Sequence, residues 1–477
     1  MPLPPLLLSS LSSATGFSKD AFEAVHGSGE QITSIRMNPM KPVKKDSVWV
    51  NKVDGEEKQP EMTPIPWSTQ GYYLSHRPSF TFDPLFQAGA YYVQEASSMF
   101  LELAVRQTMD VSQSIRVLDA CAAPGGKSTL LQSVISADSL LVSNEVIKSR
   151  AAILCENITK WGAANVVVTN SDPRELGRLE NYFDLIVVDA PCSGSGLFRR
   201  DPEAVVEWSE GAVELCSQRQ QRILADLYPS LKEDGVLIYS TCSYSEAEDE
   251  AIIDWLMETY SLESISLDIK EEWGIVTTSS PIKKGTGYRF WPDKVKGEGF
   301  FISCFRKKEG GERNARPFKK NKEQQLPKAE MELLQPLMTN FNNLSFFRQE
   351  DRVFAIPASL EQDILFLINS SVYIRQAGIS LGKAGGKEWV PEHALALSNY
   401  CSPTVVVVSL NQEQAIQYLR REEVPLDWIR EQLPAGFKQG WSLVQFEGTS
   451  LGWIKILPNR INNYYPKEWR ILNKPGN

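Results

Sequence analysis

Two cysteines stand just beyond two apolar runs. Cys242 ends "GVLIYSTC" (235–242), and Cys192 ends "LIVVDAPC" (185–192). A lone cysteine is most often a small core residue, and a packing role would keep it inside such a run. Placement beyond both runs points instead to a disulfide, a metal or a reaction. The chain has seven scattered cysteines, an odd number, with no CxxC and only three histidines. That pattern argues against a disulfide framework and against structural zinc, so no metal is expected. Reduced thiols fit this pattern, either packed as small core residues or free to react.

Other residues with chemistry to offer lie at similar places. Asp119 and the loop "CAAPGGKS" follow "IRVLDA", Glu145 ends "LLVSNE", Asp172 ends "NVVVTNSD", and Asp189 ends "FDLIVVD". One acid at such a position is often a helix N-cap, but the repetition suggests a ligand site. The loop lacks GxxxxGK[ST], so it is no ordinary phosphate loop. Gly125 and Gly126 allow a ligand close to the backbone, and the following helix start favours a carboxylate or phosphate. Glu145 can accept from ribose hydroxyls, and an acid one strand further on can meet an adenine amino group. S-adenosylmethionine satisfies these demands. A dinucleotide satisfies several of them too.

The elements that must position these residues are five short apolar runs between 115 and 242. Helical segments are expected at 126–137, 146–160 and 202–232, the last closed by the turn "KEDG". Throughout-apolar strands alternating with helices predict a parallel sheet covered on both faces, with ligands at its carboxyl edge. "YRFWPD" and "GFFISCFRK" read as later strands of the same sheet. The stretch 84–105 reads as helix after its first proline.

The fold expected is therefore α/β and Rossmann-like. A helical N-terminal extension spans 1–110 and the catalytic domain 111–308. A basic linker at 309–328 leads to an intermediate domain at 329–400. A last α+β unit, 401–477, has short strands punctuated by Gly440, Gly448 and Gly452, as in a small barrel. The N-terminus lacks the basic segment of a signal peptide, and no run is long enough to span a bilayer. These features suit a cytoplasmic, monomeric enzyme of 477 residues without a membrane partner.

"VLDACAAPGGKS", "DAPCSGSG" and "STCS" together resemble the RNA cytosine-5 methyltransferases of the NOL1/NOP2/Sun family. "SIRMNPMK" (34–41) is similar to an element upstream of that catalytic domain, and "QEASSM" (94–99) to the helix before the cofactor loop. The remainder of the chain, through "RQAGISLG" (375–382), "PEHALALS" (391–398) and "GWIKILPNRINNYYPKEWR" (452–470), resembles a bacterial member that acts on small-subunit rRNA and whose C-terminal extension includes a PUA-like domain. The resemblance implies S-adenosylmethionine as cofactor, bound by Ala122, Ala123, Pro124, Gly125, Gly126, Lys127, Ser128, Glu145, Asp172 and Asp189. It implies Cys242 as the nucleophile at cytosine C6, Cys192 in product release, and Asp189 facing the target base. Lys127 meets either the cofactor carboxylate or the base. Pro173 departs from the family pattern, where glycine is frequent, which leaves the turn beside Asp172 open.

The implied partner is 16S rRNA within the assembled small subunit. A second enzyme reading takes tRNA as substrate, and a non-enzyme reading makes the chain an RNA-binding assembly factor. The formal net charge is -9, so phosphate binding requires gathered cations. Arg36, Arg199 and Arg200 are the RNA-binding candidates, with Lys41, Lys44, Lys45 and the tract 306–328, which holds nine Lys/Arg against three Glu. The C-terminal candidates are Arg375, Lys383, Lys455, Arg460 and Lys467. The acidic stretch after Cys242, "EAEDEAIIDWLMETY", is expected to face solvent. Deleting 329–477 is expected to spare cofactor binding.

Overall fold

The computed structural model describes residues 3–43, 51–53, 56–311, 318–321 and 324–473. Lys44 and Lys45 lie outside them, as do parts of the basic tract. The five apolar runs form strands β1 (Arg116–Asp119), β2 (Leu140–Asn144), β3 (Val166–Thr169), β4 (Phe183–Asp189) and β5 (Leu231–Thr241). All pair in parallel, in the order β5-β4-β1-β2-β3. The chain leaves β1 toward β2 on one side and later returns to β4 on the other. That reversal opens a crevice at the carboxyl ends of β1 and β4. Helices Gly126–Val134 (α1), Lys148–Trp161 (α2) and Glu210–Leu227 (α3) lie between strands, and Glu250–Thr259 (α4) follows β5. Val117, Leu141, Val168, Val187 and Ile238 face one buried apolar cluster, and Leu118, Val142, Val167, Val188 and Tyr239 the other.

The antiparallel extension also forms. Strands β6 (Leu262–Ile265), β7 (Val276–Ser279), β8 (Thr286–Phe290) and β9 (Phe300–Lys307) continue the sheet beyond β5. The 202–232 segment is not one helix. Pro202–Glu207 ends at Trp208, and Ser209 then caps α3 by accepting from the Ala212 amide at 3.1 Å. "KEDG" is a bulge inside β5: Phe183 pairs with Leu231 but Leu185 with Val236.

The N-terminal region differs from the helical expectation. Thr33–Met37, Met62–Pro64, Gly71–Leu74 and Tyr91–Val93 form a four-stranded sheet. The helix expected over 84–105 breaks after Gln87 and resumes as Leu101–Thr108. Tyr91, Tyr92 and Val93 pair with Met37, Arg36 and Ile35 instead, since tertiary pairing outweighs local helix preference in β-prone residues. Gly89 makes the break at φ 70, where a Cβ would sit 2.1 Å from the Lys160 carbonyl oxygen.

The segment after 329 reaches back into the catalytic sheet. Ile374–Ala377 (β10) pairs antiparallel with β3 and forms that edge of the 10-stranded sheet. Asp363 accepts from Arg116 at 3.1 and 3.0 Å and from the Tyr182 hydroxyl at 2.9 Å. Phe347, Phe354, Ile356 and Leu367 belong to the same apolar cluster as Leu179 and Phe183. Deletion of 329–477 would therefore strip an edge strand and part of a core from the catalytic fold. The expectation that this deletion spares cofactor binding is corrected accordingly. Val406–Ser409, Gly440–Phe446, Thr449–Leu457 and Arg460–Asn463 form a separate four-stranded sheet, a single path without a closing pair among the described residues.

Candidate active site

Parallel register brings the two cysteines together. Asp189 lies opposite Ser240 at the ends of β4 and β5, so the loops that follow start side by side. Cys192 Sγ and Cys242 Sγ are 3.0 Å apart, both half-buried. The contact with Cys242 comes first among the causes that raise the Cys192 thiol well above its ordinary value. Burial and the charge of Glu248 add to it. Cys192 is thus held as a thiol at neutral pH. The loop geometry depends on Gly196, whose amide donates to the Cys242 carbonyl at 2.8 Å, while its own carbonyl accepts from Gly299 at 3.1 Å.

Asp189 stands beside the thiols. One carboxylate oxygen is 2.7 Å from Lys127 Nζ, and the other accepts from Ser240 Oγ at 2.9 Å. Burial draws the Lys127 ammonium down, but the Asp189 charge and hydrogen bond outweigh it and hold Lys127 above its ordinary value. Lys127 also lies 5.2 Å from the centroid of the Phe300 ring. The structure brings Cys192, Cys242, Asp189 and Lys127 into one cluster at the crevice.

The loop 120–128 is tied at many points. Its Ala122 amide donates to the Asn144 carbonyl at 2.8 Å, and the Ala123 carbonyl accepts from Arg150 at 2.9 Å. The Pro124 carbonyl accepts from Asn157 at 2.8 Å. Gly125 caps α1 at φ 117, a left-handed conformation that favours glycine. Ser128 is buried and donates to Asp119 at 2.7 Å. The other oxygen of Asp119 is buried with no protein partner. Burial pushes Asp119 up to about 7, helped by the charges of Asp189 and Glu145 and opposed by Ser128 and Lys127.

Glu145 accepts from the Ile147 amide at 2.8 Å and lies 3.4 Å from Arg150. Asp172 caps a short helix, Pro173–Gly177, by accepting from the Arg174 amide at 3.0 Å, and its side chain remains half exposed. Asp119, Glu145 and Asp189 stand within electrostatic reach of one another at the strand ends, with an unpartnered acceptor at Asp119. Such a donor set fits a ligand that carries positive charge and hydroxyls, as S-adenosylmethionine does.

Two of the proposed RNA contacts are corrected. Arg36 is 1% exposed. It donates to Gln94 Oε1 at 2.9 Å, to the Gly126 and Thr129 carbonyls, and to Thr129 Oγ1 at 2.5 Å, and its guanidinium lies 4.6 Å from the Trp161 ring centroid. It braces the first turns of α1 and is closed to phosphate. Burial lowers it to about 9. The Arg199 side chain is also buried, 3.7 Å from Glu298, and donates to the Glu30 carbonyl at 3.0 Å. Burial pushes Glu298 up to about 7 against the pull of Arg199. Arg200 is exposed.

The acidic stretch after Cys242, expected to face solvent, instead turns its first acids inward. Glu248 and Asp249 are fully buried, and Glu250 is nearly so. Asp249 lies 3.1 Å from Arg289 and accepts from Thr241 at 2.7 Å, and Glu250 accepts from Arg289 Nε at 2.7 Å. These ties fix the chain on either side of Cys242. The only signal in the sequence was their nearness to "STCS".

The fold and the crevice at its switch point define a Rossmann-like, S-adenosylmethionine-dependent methyltransferase. A methyltransferase homologue from Pyrococcus horikoshii shares the architecture (TM-score 0.50, 28% identity, 64% of this chain and 100% of that one). So does NSun6 from the same organism, solved with SFG (TM-score 0.53, 18% identity, 64% and 98%). Residues 106–306 match the family of 16S rRNA methyltransferase RsmB/F. Residues 3–96 match the N-terminal domain of 16S rRNA methyltransferase RsmF, and 405–471 the methyltransferase RsmF PUA domain. The chain is 31% identical over 460 residues to ribosomal RNA small subunit methyltransferase F of Aliivibrio fischeri, covering 93% of this chain and 92% of that protein. It is 30% identical over 455 residues to the enzyme of that name from Vibrio parahaemolyticus, covering 91% and 90%. The chain belongs to the 16S rRNA methyltransferase RsmB/F family. No helix among the described residues is long and apolar enough to cross a membrane.

Proposed function

We propose that the chain methylates C5 of one cytosine in 16S rRNA, with Cys242 as a covalent nucleophile. The observation that supports this most is the pair of thiols 3.0 Å apart beside the Asp189–Lys127 ion pair. Cytosine C5 is a poor nucleophile. Addition of the Cys242 thiolate to C6 forms a carbon–sulfur bond and moves electron density to C5. S-adenosylmethionine, when bound, would supply an electrophilic methyl group on a sulfonium, the sulfur–methyl electron pair staying on the neutral thioether that leaves. Asp119, Glu145 and Asp172 are the carboxylates for its polar groups, and the loop Ala122–Ser128 is the backbone wall. Asp189 accepts from the exocyclic amine of the base, which selects cytosine over uracil, and the ion pair with Lys127 at 2.7 Å orients its carboxylate.

Release reverses the addition. The C5 proton leaves, the C6–sulfur bond breaks, and the thiolate departs, so C5–H has become C5–CH3 with one proton set free. Cys192, held as a thiol against Cys242, moves a proton at the departing sulfur. A paired target base must leave its stack to reach these groups. The exposed Arg200 meets phosphate, and the C-terminal unit at 401–477 recruits RNA on the assembled small subunit. The enzyme acts in the cytoplasm as a monomer.

The test uses two variants and labelled small subunits. Cys242→Ala is expected to abolish methyl transfer while cofactor binding persists. Cys192→Ala is expected to accumulate a covalent protein–RNA adduct on denaturing gels. Bisulfite mapping locates the product. Methylation by the Cys242 variant, or a modified base other than cytosine, would sink the reading.

A further inference from the structure

Glu248 is fully buried and holds both cysteine loops at once. Ser193, next to Cys192, donates to it from its amide at 2.8 Å and from its hydroxyl at 2.5 Å. Ser243, next to Cys242, donates its hydroxyl to the same carboxylate at 2.6 Å. Gln220 Nε2 adds a fourth donor at 3.2 Å and also donates to the Pro191 carbonyl at 3.0 Å. No lysine or arginine pairs with Glu248 among the described residues. Its charge is therefore balanced by hydrogen bonds alone, and each loop contributes the residue adjoining its cysteine.

We propose that Glu248 is a positioning residue that sets the spacing of the Cys192 and Cys242 thiols. A buried carboxylate without a cation must keep its donors, since each lost bond strands a charged acceptor away from water. Neither loop can withdraw without that loss, so the carboxylate fastens the two together. The ties beyond it are stiff. Tyr239 on β5 donates to the Glu248 carbonyl at 2.6 Å, and the Gly196–Cys242 backbone bond joins the same loops from another side. The charge of Glu248 also adds to the rise of the Cys192 thiol, which keeps the proton on that sulfur. The spacing is a matter of geometry, independent of what the thiols do. Its kinetic consequence rests on the proposed function.

The test reads geometry first, without RNA. Diamide oxidises a close thiol pair: two S–H bonds break, one S–S bond forms, and the diazene takes both hydrogens as a hydrazine. Cross-linking of Cys192 to Cys242 is followed by peptide mass mapping. In Glu248→Ala the pair should cross-link about 100-fold more slowly, the loss that about 1 Å of misplacement brings to a positioned pair. Glu248→Gln should restore most of the rate. Its amide oxygen accepts from Ser193 and Gln220, and its NH2 meets hydroxyls that can turn to accept. The same variants, assayed on small subunits, should show the loss in kcat, with cofactor affinity unchanged and the glutamine variant rescuing.

Ser193→Ala combined with Ser243→Ala loosens the clamp with Glu248 in place, and should slow cross-linking even if Glu248→Ala fails to fold. Wild-type cross-linking rates in folded Glu248→Ala and in the double serine variant would overturn the proposal. Slow cross-linking with undiminished methylation would uphold the clamp and reject the catalytic reading of the cysteine pair.

Discussion

Two neighbouring glycines in the Cys192 loop should respond oppositely to one added methyl group. A Cβ on Gly196 would lie 2.6 Å from the Gly299 carbonyl oxygen and 2.7 Å from the Cys242 carbonyl oxygen. Ordinary contact begins near 3.4 Å, so the shortfalls are 3.4 − 2.6 = 0.8 Å and 3.4 − 2.7 = 0.7 Å. Both obstacles are backbone, and one belongs to Cys242 itself. Relief must move the Cys242 turn or pull the Cys192 loop away. Overpacking of this kind costs about 1–3 kcal/mol of stability. A displacement approaching 1 Å at a reacting group costs about 100-fold in rate. Gly194 offers the control. Its φ is 72, and a Cβ there meets nothing within 4 Å. Alanine at 194 bears only left-handed backbone strain of about 1–2 kcal/mol. The two variants should thus melt at similar temperatures and bind cofactor alike. Single-turnover methylation should fall about 100-fold in Gly196→Ala and stay near wild type in Gly194→Ala. Equal rates in both variants, or a defect confined to position 194, would refute the reasoning that the Gly196 contact fixes Cys242.

Asp119 predicts a proton signal. Its pKa of about 7 lies above the ordinary carboxyl value, so folding stability falls as pH rises through that interval. A cationic ligand favours the ionised form, so S-adenosylmethionine binding near pH 6 should release up to about one proton and none above about pH 8. Calorimetry in buffers of different ionisation enthalpy measures this, and Asp119→Asn should erase it. Removal of 329–477 deletes β10 and Asp363, so the shortened chain should lose thermal stability and cofactor binding together. A truncated chain that melts and binds like the whole one would contradict that integration.

The parts of the site legible in the sequence share one property: they sit at the ends of locally patterned strands. Asp119, Glu145, Asp189 and Cys242 follow runs apolar enough to mark buried parallel strands, and the switch-point rule then gathers them. Glu248 follows no such rule. Its burial depends on Ser193 and Ser243, residues that only the fold brings beside it, and an acidic helix start otherwise reads as solvated. Arg36 misleads for the same reason. A cation near a recognised motif suggests phosphate, whereas Gln94, Thr129 and Trp161 enclose it from distant positions. Strand β10 is four residues long and half polar, so its sequence carries little strand pattern, and its pairing with β3 spans some two hundred residues of chain.

The buried cations also change how the enzyme can hold RNA. Of the positive groups available to an acidic chain, Arg36 and Arg199 are enclosed, and Lys41 donates to the Ala88 and Lys160 carbonyls at 2.7 and 2.5 Å. Burial lowers Lys41 to about 7. Lys383 pairs with Asp351, and Lys455 with Glu388. Arg200, Arg460 and Lys467 are exposed and form no ion pair among the described residues. Each phosphate neutralised contributes a slope of about 0.7–0.9 to the salt dependence of binding. Of the candidates named, these three are the ones left free to add to that slope. Selectivity must then come from surfaces that fit a folded RNA, read by several parts of the chain together. Strand β10, paired with β3, fixes the segment after 329 to the catalytic sheet in one frame. A base presented on a folded RNA surface can satisfy that frame, whereas a flexible oligonucleotide would first have to be ordered into it.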